Sequence, residues 1–231
     1  MQAGAGTGEV PPKRSNYRHG DLHRALVAAG TALARAGGPE AVVLRKVTRL
    51  VGVAPNAAYR HFADRQALLE AVCDVGQSAL ATAIEVELAA VPQRDDPVEA
   101  ARDRLRAVGT GYLRFARAEP GLFRTAVSVP VDLLTSSAQT KRGQGGRTPF
   151  EMLSDAVDAL VTVGVIAPNQ RPHAEFLAWS AVHGLAMLLI QGPLRMADQP
   201  RGGRGGPPRQ GQVGRGQPPR RPARPRVYGK P

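Results

Sequence analysis

The stretch LRKVTRLVGVAPNAAYRHFADRQALL, residues 44–69, decides the fold of this chain. Leu44, Val47 and Val51 recur at helical spacing over a short segment. That segment must end at Gly52, because the Gly-Val-Ala-Pro sequence beginning there combines a flexible residue with a proline. The pattern therefore predicts a short helix followed by a tight turn.

A second short helix follows the turn. Pro55 suits the first turn of a helix, which we expect to run to about Tyr59 or Arg60. Small residues at the crossing point, such as Ala57 and Ala58, allow two short helices to pack closely. This arrangement is typical of a helix-turn-helix, whose second helix lies in the major groove of DNA. An ordinary corner of a helical bundle gives the same local pattern.

Longer helices are predicted on both sides of this pair. Upstream, Asp21 can cap a helix that stops at Gly37. Downstream, Asp64 is a good N-cap for a long amphipathic helix that continues to about Val91. Further helices are expected at 98–118, 120–128, 149–164 and 172–191, with a polar loop at 135–148. No stretch alternates at period two for long enough to form a sheet, so the predicted fold is all-α.

Charge is distributed unevenly along the chain, whose formal net charge is +12. Residues 1–65 carry +6, residues 66–200 carry −3, and residues 201–231 carry +9. An acidic middle between basic ends points to nucleic-acid contact near the N-terminus and to a different task in the middle. A basic stretch is also compatible with a solvated surface, so charge alone does not assign a function.

The run YRHFADRQALL, residues 59–69, resembles the DNA-binding region of the TetR family of bacterial transcriptional regulators. That family has a Tyr-x-His-Phe segment followed by an acidic residue, a basic residue and a pair of leucines. The similarity extends upstream through YRHGDL at 17–22, GPEA at 38–41 and LRKV at 44–47. It covers roughly residues 17–75 without a gap, and it implies a regulator, expected to be a repressor, that binds a palindromic operator as a homodimer.

Eight residues are candidates for DNA contact on this resemblance. They are Arg45, Ala54, Pro55, Asn56, Ala57, Tyr59, His61 and Arg65. The resemblance places Tyr59, His61 and Arg65 on phosphates, and the residues from Ala54 to Ala57 at or near base edges. A phenol and an imidazole can each donate a hydrogen bond to a phosphate oxygen, and a cation at the start of a helix adds charge there.

Two positions depart from the family pattern. Val43 stands where a Ser or Thr commonly caps the first helix of the motif, and Arg65 stands where a Lys is common. Loss of a cap typically costs about 1 kcal/mol. Arginine serves a phosphate as well as lysine does. The departures therefore weaken the predicted helix boundary without removing the DNA-binding assignment.

The segment FLAWSAVHGL, residues 176–185, looks like the C-terminal domain of a TetR subgroup named for its Trp-His-Gly letters. The resemblance implies a domain that dimerises and holds a small-molecule effector. At 100° per residue, Trp179 and His183 share one apolar face of this helix, and Ala181 and Gly184 lie on the opposite one. We assign the face with the small residues to a homodimer with the helix at 149–164, and the other face to the interior.

The effector is expected to be a mostly apolar small molecule. Its candidate contacts are Tyr112, Phe115, Trp179, His183 and Met187, which could equally be ordinary core residues. The resulting organisation is a flexible basic arm at 1–16, a helix-turn-helix domain at 17–64, a helical effector-binding and dimerisation domain at 65–197, and a disordered Arg/Gly/Pro-rich tail at 198–231.

Other classes of protein find little support. The first twelve residues lack an export signal, and the most apolar stretch, 176–190, is shorter than the ~20 residues that span a bilayer, so a cytoplasmic protein without a membrane partner is expected. Cys73 has no partner cysteine and reads as a small buried hydrophobe. No constellation for catalysis, metal or cofactor binding is apparent. The alternative function is RNA or single-strand binding through the Arg/Gly-rich tail. A shifted reading frame would also explain the abrupt change in composition at this tail.

Overall fold

The computed structural model describes residues 19–129 and 139–196. These residues form eight α-helices and four short 3-10 turns, with no strand among them, which confirms the predicted all-α fold. The expected arm at 1–16, the tail at 198–231 and the first part of the loop at 135–148 lie outside the described residues. The helices are α1 (His19–Gly37), α2 (Leu44–Val51), α3 (Pro55–Ala58), α4 (Arg65–Ala89), α5 (Pro97–Ala118), α6 (Pro120–Ala126), α7 (Pro149–Thr162) and α8 (Ala174–Ile190).

The turn between α2 and α3 has the conformation that its sequence requires. Gly52 adopts a left-handed conformation with φ of 75°, and its N–H bonds back to the carbonyls of Thr48 and Arg49. Only glycine reaches this region without strain, so the turn depends on it. Val43 precedes α2 without any side-chain capping bond, as the departure from the family pattern predicted.

Helix α3 is a single turn and ends at Ala58, one or two residues before the expected end at Tyr59 or Arg60. The backbone N–H groups of His61 and Phe62 both donate to the Ala58 carbonyl, each at 2.9 Å, which closes the helix. The chain then brings Phe62 into the core, where it is 4% exposed. The helix therefore ends at Ala58, because the chain after it turns to bury Phe62.

Helix α4 is the central element of the fold. Asp64 caps it by accepting a 2.8 Å hydrogen bond from the Ala67 N–H, as predicted, and the helix ends at Ala89, just before the expected Val91. Among the described residues, α4 is the one helix long and apolar enough to cross a membrane. Leu68, Val72, Leu80 and Ile84 of this helix are buried among α1, α5, α6 and α7, which is the environment of a core helix, whereas Val75 is exposed.

The head, which we define as α1 to α3, and the body, α4 to α8, share one continuous core. Their junction is made by α4 and by α6, which packs against the C-terminal end of α1. A Cβ on Gly121 would lie 2.4 Å from the carbonyl oxygens of both Ala34 and Arg35, so only glycine fits. Nearby, Arg124 of α6 donates to the Glu40 carboxylate at 2.7 Å.

A well-defined loop fastens the start of α7 to the body. Arg142 donates two hydrogen bonds, each of 2.9 Å, to the Glu151 carboxylate. Glu85 of α4 accepts from the backbone N–H groups of Gln144 and Gly145. Thr148 and Glu151 cap α7 reciprocally. Helix α7 begins at the predicted residue 149 and ends two residues before the predicted 164, and α8 is two residues shorter at its start and one at its end than the predicted segment 172–191.

Candidate DNA-binding surface and internal cavity

The helix-turn-helix presents a continuous outer surface on α2, α3 and the residues just after them. Ala54, Pro55, Asn56 and Tyr59 are all exposed, and Tyr59 keeps 55% of its surface accessible. Ala57 is half-buried, because its side chain packs against the core. The short outer side chains leave the backbone of α3 open to close approach, which a base edge in the major groove requires.

Arg45 lies on the exposed side of α2, opposite the buried residues Leu44, Val47 and Thr48. Lys46 and Arg49 are exposed on the same helix, and Arg60 is exposed directly after Tyr59. These three cations were not among the residues predicted for DNA contact. For Lys46 and Arg49, the signal in the sequence is that positions 46 and 49 fall, like 45, on the side of the helix that does not carry the apolar repeat.

Arg65 makes contacts that the amino-acid sequence did not predict. Its Nε donates to the Val42 carbonyl at 2.8 Å, and one terminal nitrogen donates to the Pro39 carbonyl at 2.5 Å. The guanidinium therefore fastens the 3-10 turn at Pro39–Ala41 and the start of α2 to the start of α4. A phosphate could reach only the part of the guanidinium that these carbonyls leave open.

His61 stands between the surface and the core. It is half-buried, and its ring lies edge-on to His23 of α1, with 6.1 Å between ring centroids. His23 in turn stacks on Phe62 at 4.8 Å. The two histidines and the phenylalanine thus join α1 to the segment after α3, and they set where the exposed Tyr59 stands.

The body contains a partly open cavity of about 260 Å³ between α4, α5, α7 and α8. It lies below the roughly 300–1,000 Å³ range of drug-sized sites. No charged residue lines it among the described residues, and its polar side chains are Gln77, Tyr112 and Trp179. The apolar wall consists of Leu80, Ile84, Leu105, Val108, Gly109, Val127, Pro149, Phe150, Leu153, Ala178, Ala181 and Val182.

A chain of hydrogen bonds stands at one edge of this cavity. Trp179 Nε1 donates to the Tyr112 hydroxyl at 3.2 Å, and the same hydroxyl bonds to His183 Nδ1 at 2.9 Å. Burial raises the pKa of Tyr112 to about 12, so its phenol keeps its proton. Burial also lowers the pKa of His183 from its ordinary value, which favours the neutral imidazole.

The sequence placed five residues around an effector, and the structure brings two of them, Tyr112 and Trp179, to the cavity wall. Phe115, His183 and Met187 lie outside the lining. Phe115 packs towards Phe123, with 6.4 Å between ring centroids, and His183 stands behind Tyr112. Helical periodicity shows which residues share a face, but it does not show at which level along that face the neighbouring helices separate to leave a space.

The opposite side of α8 is uncovered. Leu177 is 77% exposed, and Leu185 and Leu188 are also exposed. A Cβ on Gly184 would meet no atom within 4 Å. This face contains the small-residue positions that the sequence assigned to a dimer contact. We call Leu177, Gly184, Leu185 and Leu188 the α8 outer face; Ala181, which the sequence placed with them, also lines the cavity.

Cys73 is buried on α4, as its sequence context predicted, and lies 3.2 Å from the Ala126 carbonyl oxygen. Burial raises the pKa of its thiol to about 11, so the thiolate is disfavoured. Within the part of the chain that the structure describes, no group of three His, Cys, Asp or Glu side chains could hold a metal ion.

Comparisons with known proteins agree with this architecture. Residues 26–72 match the family model described as "Bacterial regulatory proteins, tetR family", and residues 105–202 match "Tetracyclin repressor-like, C-terminal domain". The chain belongs to the TetR family. It is accordingly a DNA-binding transcriptional regulator and not an enzyme. The Trp-His-Gly segment lies inside the second match.

One solved structure with the same fold is that of a protein with unknown function from Rhodococcus sp. RHA1. It is 27% identical to this TetR-family chain, with a TM-score of 0.58. The similarity covers 79% of this chain and 89% of the other. No curated protein matches the chain.

Proposed function

We propose that this TetR-family protein is a cytoplasmic repressor that binds a palindromic operator as a homodimer and is released by a small apolar effector. The observation that carries the proposal is the exposed surface of α3, flanked by the cations of α2, on a body that contains an apolar cavity. The head supplies sequence reading, and the cavity supplies a place for a signal.

For DNA recognition, α3 enters the major groove with Ala54, Pro55 and Asn56 towards the bases. The Tyr59 hydroxyl donates a hydrogen bond to a phosphate. Positive charge along the flanking DNA backbone comes from Arg45, Lys46 and Arg49. Arg65 acts mainly by holding the turn before α2, because two of its nitrogens are already committed to backbone carbonyls. His61 completes the phosphate side of the surface.

The α8 outer face supports the homodimer. Three exposed leucines around a glycine form a contiguous apolar surface, which soluble proteins usually cover with a partner. A second copy related by two-fold symmetry would place identical faces together, and Gly184 would let the two helices approach closely. The two heads would then address two half-sites about one DNA turn apart, so the operator would be an inverted repeat.

Contacts between the cavity and α6 support release by an effector. Gln77 lines the cavity, and its amide nitrogen donates to the Ala126 carbonyl at the end of α6, at 2.6 Å. At the other end of α6, Gly121 touches the α1 backbone. An effector that displaces Gln77 would therefore move α6 and α1 together, and the spacing of the two heads would change. The effector must bind more tightly to the form that does not bind DNA.

The DNA assignment can be tested by selecting duplexes from a random pool with the full-length protein. We expect an inverted repeat, and Tyr59→Phe combined with Arg45→Ala should weaken binding to all sequences and flatten its salt dependence. Arg102→Ala is the matched control, since it removes an exposed cation from α5 far from the head. If a parallel pool of single-stranded RNA yielded tighter binding than the duplex pool, the alternative function would be favoured.

The dimer has its own test. Gly184→Leu should lower the dimer fraction in sedimentation at micromolar protein, whereas Gly184→Ala should not. The fold of the subunit should survive both changes, because no atom of the subunit lies within 4 Å of the added Cβ. An unchanged dimer in Gly184→Leu would place the interface elsewhere.

A further inference from the structure

The hydrogen-bond chain at the cavity edge has a direction. Trp179 Nε1–H can only donate, so the Tyr112 oxygen accepts from it and uses one of its two lone pairs. The Tyr112 hydroxyl has a single proton and lies 2.9 Å from His183 Nδ1. The phenol is a stronger acid than a neutral imidazole N–H, and the imidazole nitrogen is the stronger base. The favoured bond therefore runs from the phenol to Nδ1.

With its proton committed to His183, the Tyr112 hydroxyl has one lone pair left and nothing to donate. The His183 proton then resides on Nε2. Tyr112 is 5% exposed, so bulk water does not readily replace a missing partner for that lone pair. Among the polar groups of the cavity, this hydroxyl can recognise a hydrogen-bond donor and cannot serve an acceptor.

Gln77 adds a second acceptor on the same wall. Its partner is the Ala126 carbonyl, which can only accept, so the group that faces Ala126 is the amide NH₂. The amide oxygen makes no hydrogen bond to any described residue, and Gln77 lines the cavity. The indole nitrogen of Trp179, the remaining polar atom of the lining, is already committed to Tyr112.

We propose that the cavity selects a small uncharged, mostly apolar molecule that carries a hydroxyl or N–H group, and that Tyr112, oriented by Trp179 and His183, is the residue that makes this choice. The inference rests on the proposed effector role of the cavity and adds the chemical class of the ligand. An ionised ligand would lose its hydration to a wall whose described residues offer no opposite charge. A ligand bearing only an acceptor would leave that acceptor unpaired beside two other acceptors.

The experiment uses four probes on one ten-carbon skeleton: 2-naphthol, naphthalene, 2-naphthaldehyde and 2-naphthoate. Titration calorimetry of the full-length protein should show 2-naphthol binding about three- to tenfold more tightly than naphthalene, which is the value of one net hydrogen bond. The aldehyde should bind at least tenfold more weakly than the naphthol, and the carboxylate weakest of all. Equal affinity for naphthol and aldehyde, or no binding of any probe, would overturn the proposal.

Two variants test the role of Tyr112. In Tyr112→Phe the naphthol preference over naphthalene should shrink, because only the Gln77 amide oxygen is left as an acceptor. In His183→Phe the Tyr112 O–H loses its acceptor and can donate to a ligand instead. The aldehyde should therefore gain affinity relative to wild type, an effect that a loss of packing would not produce. Phe150→Leu is the control, because it alters an apolar part of the wall and should weaken all the probes by a similar factor. An undiminished naphthol preference in Tyr112→Phe, or an unchanged aldehyde affinity in His183→Phe, would overturn the assignment.

The same samples separate this inference from the proposed function. Operator affinity is measured with and without saturating 2-naphthol. A donor preference without any change in operator affinity would refute the effector role and leave the ligand chemistry standing. If all neutral probes released the protein from the operator equally, the effector role would stand and the proposed ligand chemistry would be refuted.

Discussion

The head and the body of this protein make their functional surfaces in opposite ways. The head displays residues that are close in sequence, from Arg45 to Tyr59, on the outside of two short helices. The body builds a cavity from side chains that are as far apart in sequence as Gln77 and Val182. A surface of the first kind can be written in one contiguous motif, whereas an interior of the second kind exists only once distant helices have packed.

The largest expected effect is at the joint between the two regions. Gly121→Val should destabilise the protein by about 3 kcal/mol, because its added atoms would overlap the backbone carbonyls of Ala34 and Arg35. Denaturant unfolding measures the loss. The control is Gly109→Ala, where the nearest atom to the new Cβ is Val182 Cγ2 at 4.0 Å, and stability should rise by up to about 1 kcal/mol. Equal stability of the two variants would mean that head and body are not in close contact at α6.

The cavity wall gives the next largest effect. Leu153→Ala should cost about 2 kcal/mol of unfolding free energy, since it removes buried methyl groups beside an existing space. Operator affinity without a ligand should stay within twofold of wild type, because no DNA-facing residue is touched. A large loss of operator affinity in a well-folded Leu153→Ala protein would show that the body shapes the head even when the cavity is empty.

Two arginines of the head should behave differently. Arg65→Ala removes two hydrogen bonds to backbone carbonyls and should cost about 1 kcal/mol of stability, after allowance for its exposure. Arg45→Ala should leave stability unchanged within about 0.5 kcal/mol and weaken DNA binding alone. Thermal unfolding and duplex titration on both variants separate the roles. Identical stability of the two would return Arg65 to the role of a simple phosphate contact.

The smallest expected effect is a pH dependence from the body. Burial lowers the pKa of His183 in the folded protein below its ordinary 6.5, so the unfolded chain takes up the proton first as the pH falls. Stability should therefore decrease from pH 6.5 downward until the folded-state pKa is reached. Hydrogen bonds from Arg94 and Arg171 lower the pKa values of the Asp103 and Asp158 carboxyls, respectively, so these two groups affect stability only at more acidic pH. His183→Gln should flatten the upper part of the slope, and an unchanged slope would contradict the assignment.

The fold class and the helix-turn-helix were predictable because local rules decide them. Gly52, Pro55 and Asp64 end and start helices by backbone and capping chemistry that acts within a few residues, and the structure places these boundaries as predicted. The end of α3 was misplaced by one or two residues, because the burial of Phe62 depends on α1. The role of Arg65 was missed for the same reason, since its carbonyl partners lie 23 and 26 residues away.

The sequence by itself determined which helices form, which face of each is apolar, and that an exposed short helix follows a tight turn. Tertiary structure decided where a space remains between those faces, and so why Tyr112 and Trp179 line a cavity while Phe115, His183 and Met187 do not. It also decided that Trp179 donates to the Tyr112 hydroxyl and that this hydroxyl lies within hydrogen-bond distance of His183. Periodicity acts along one helix at a time, whereas a cavity and a hydrogen-bond chain depend on the relative heights at which separate helices cross.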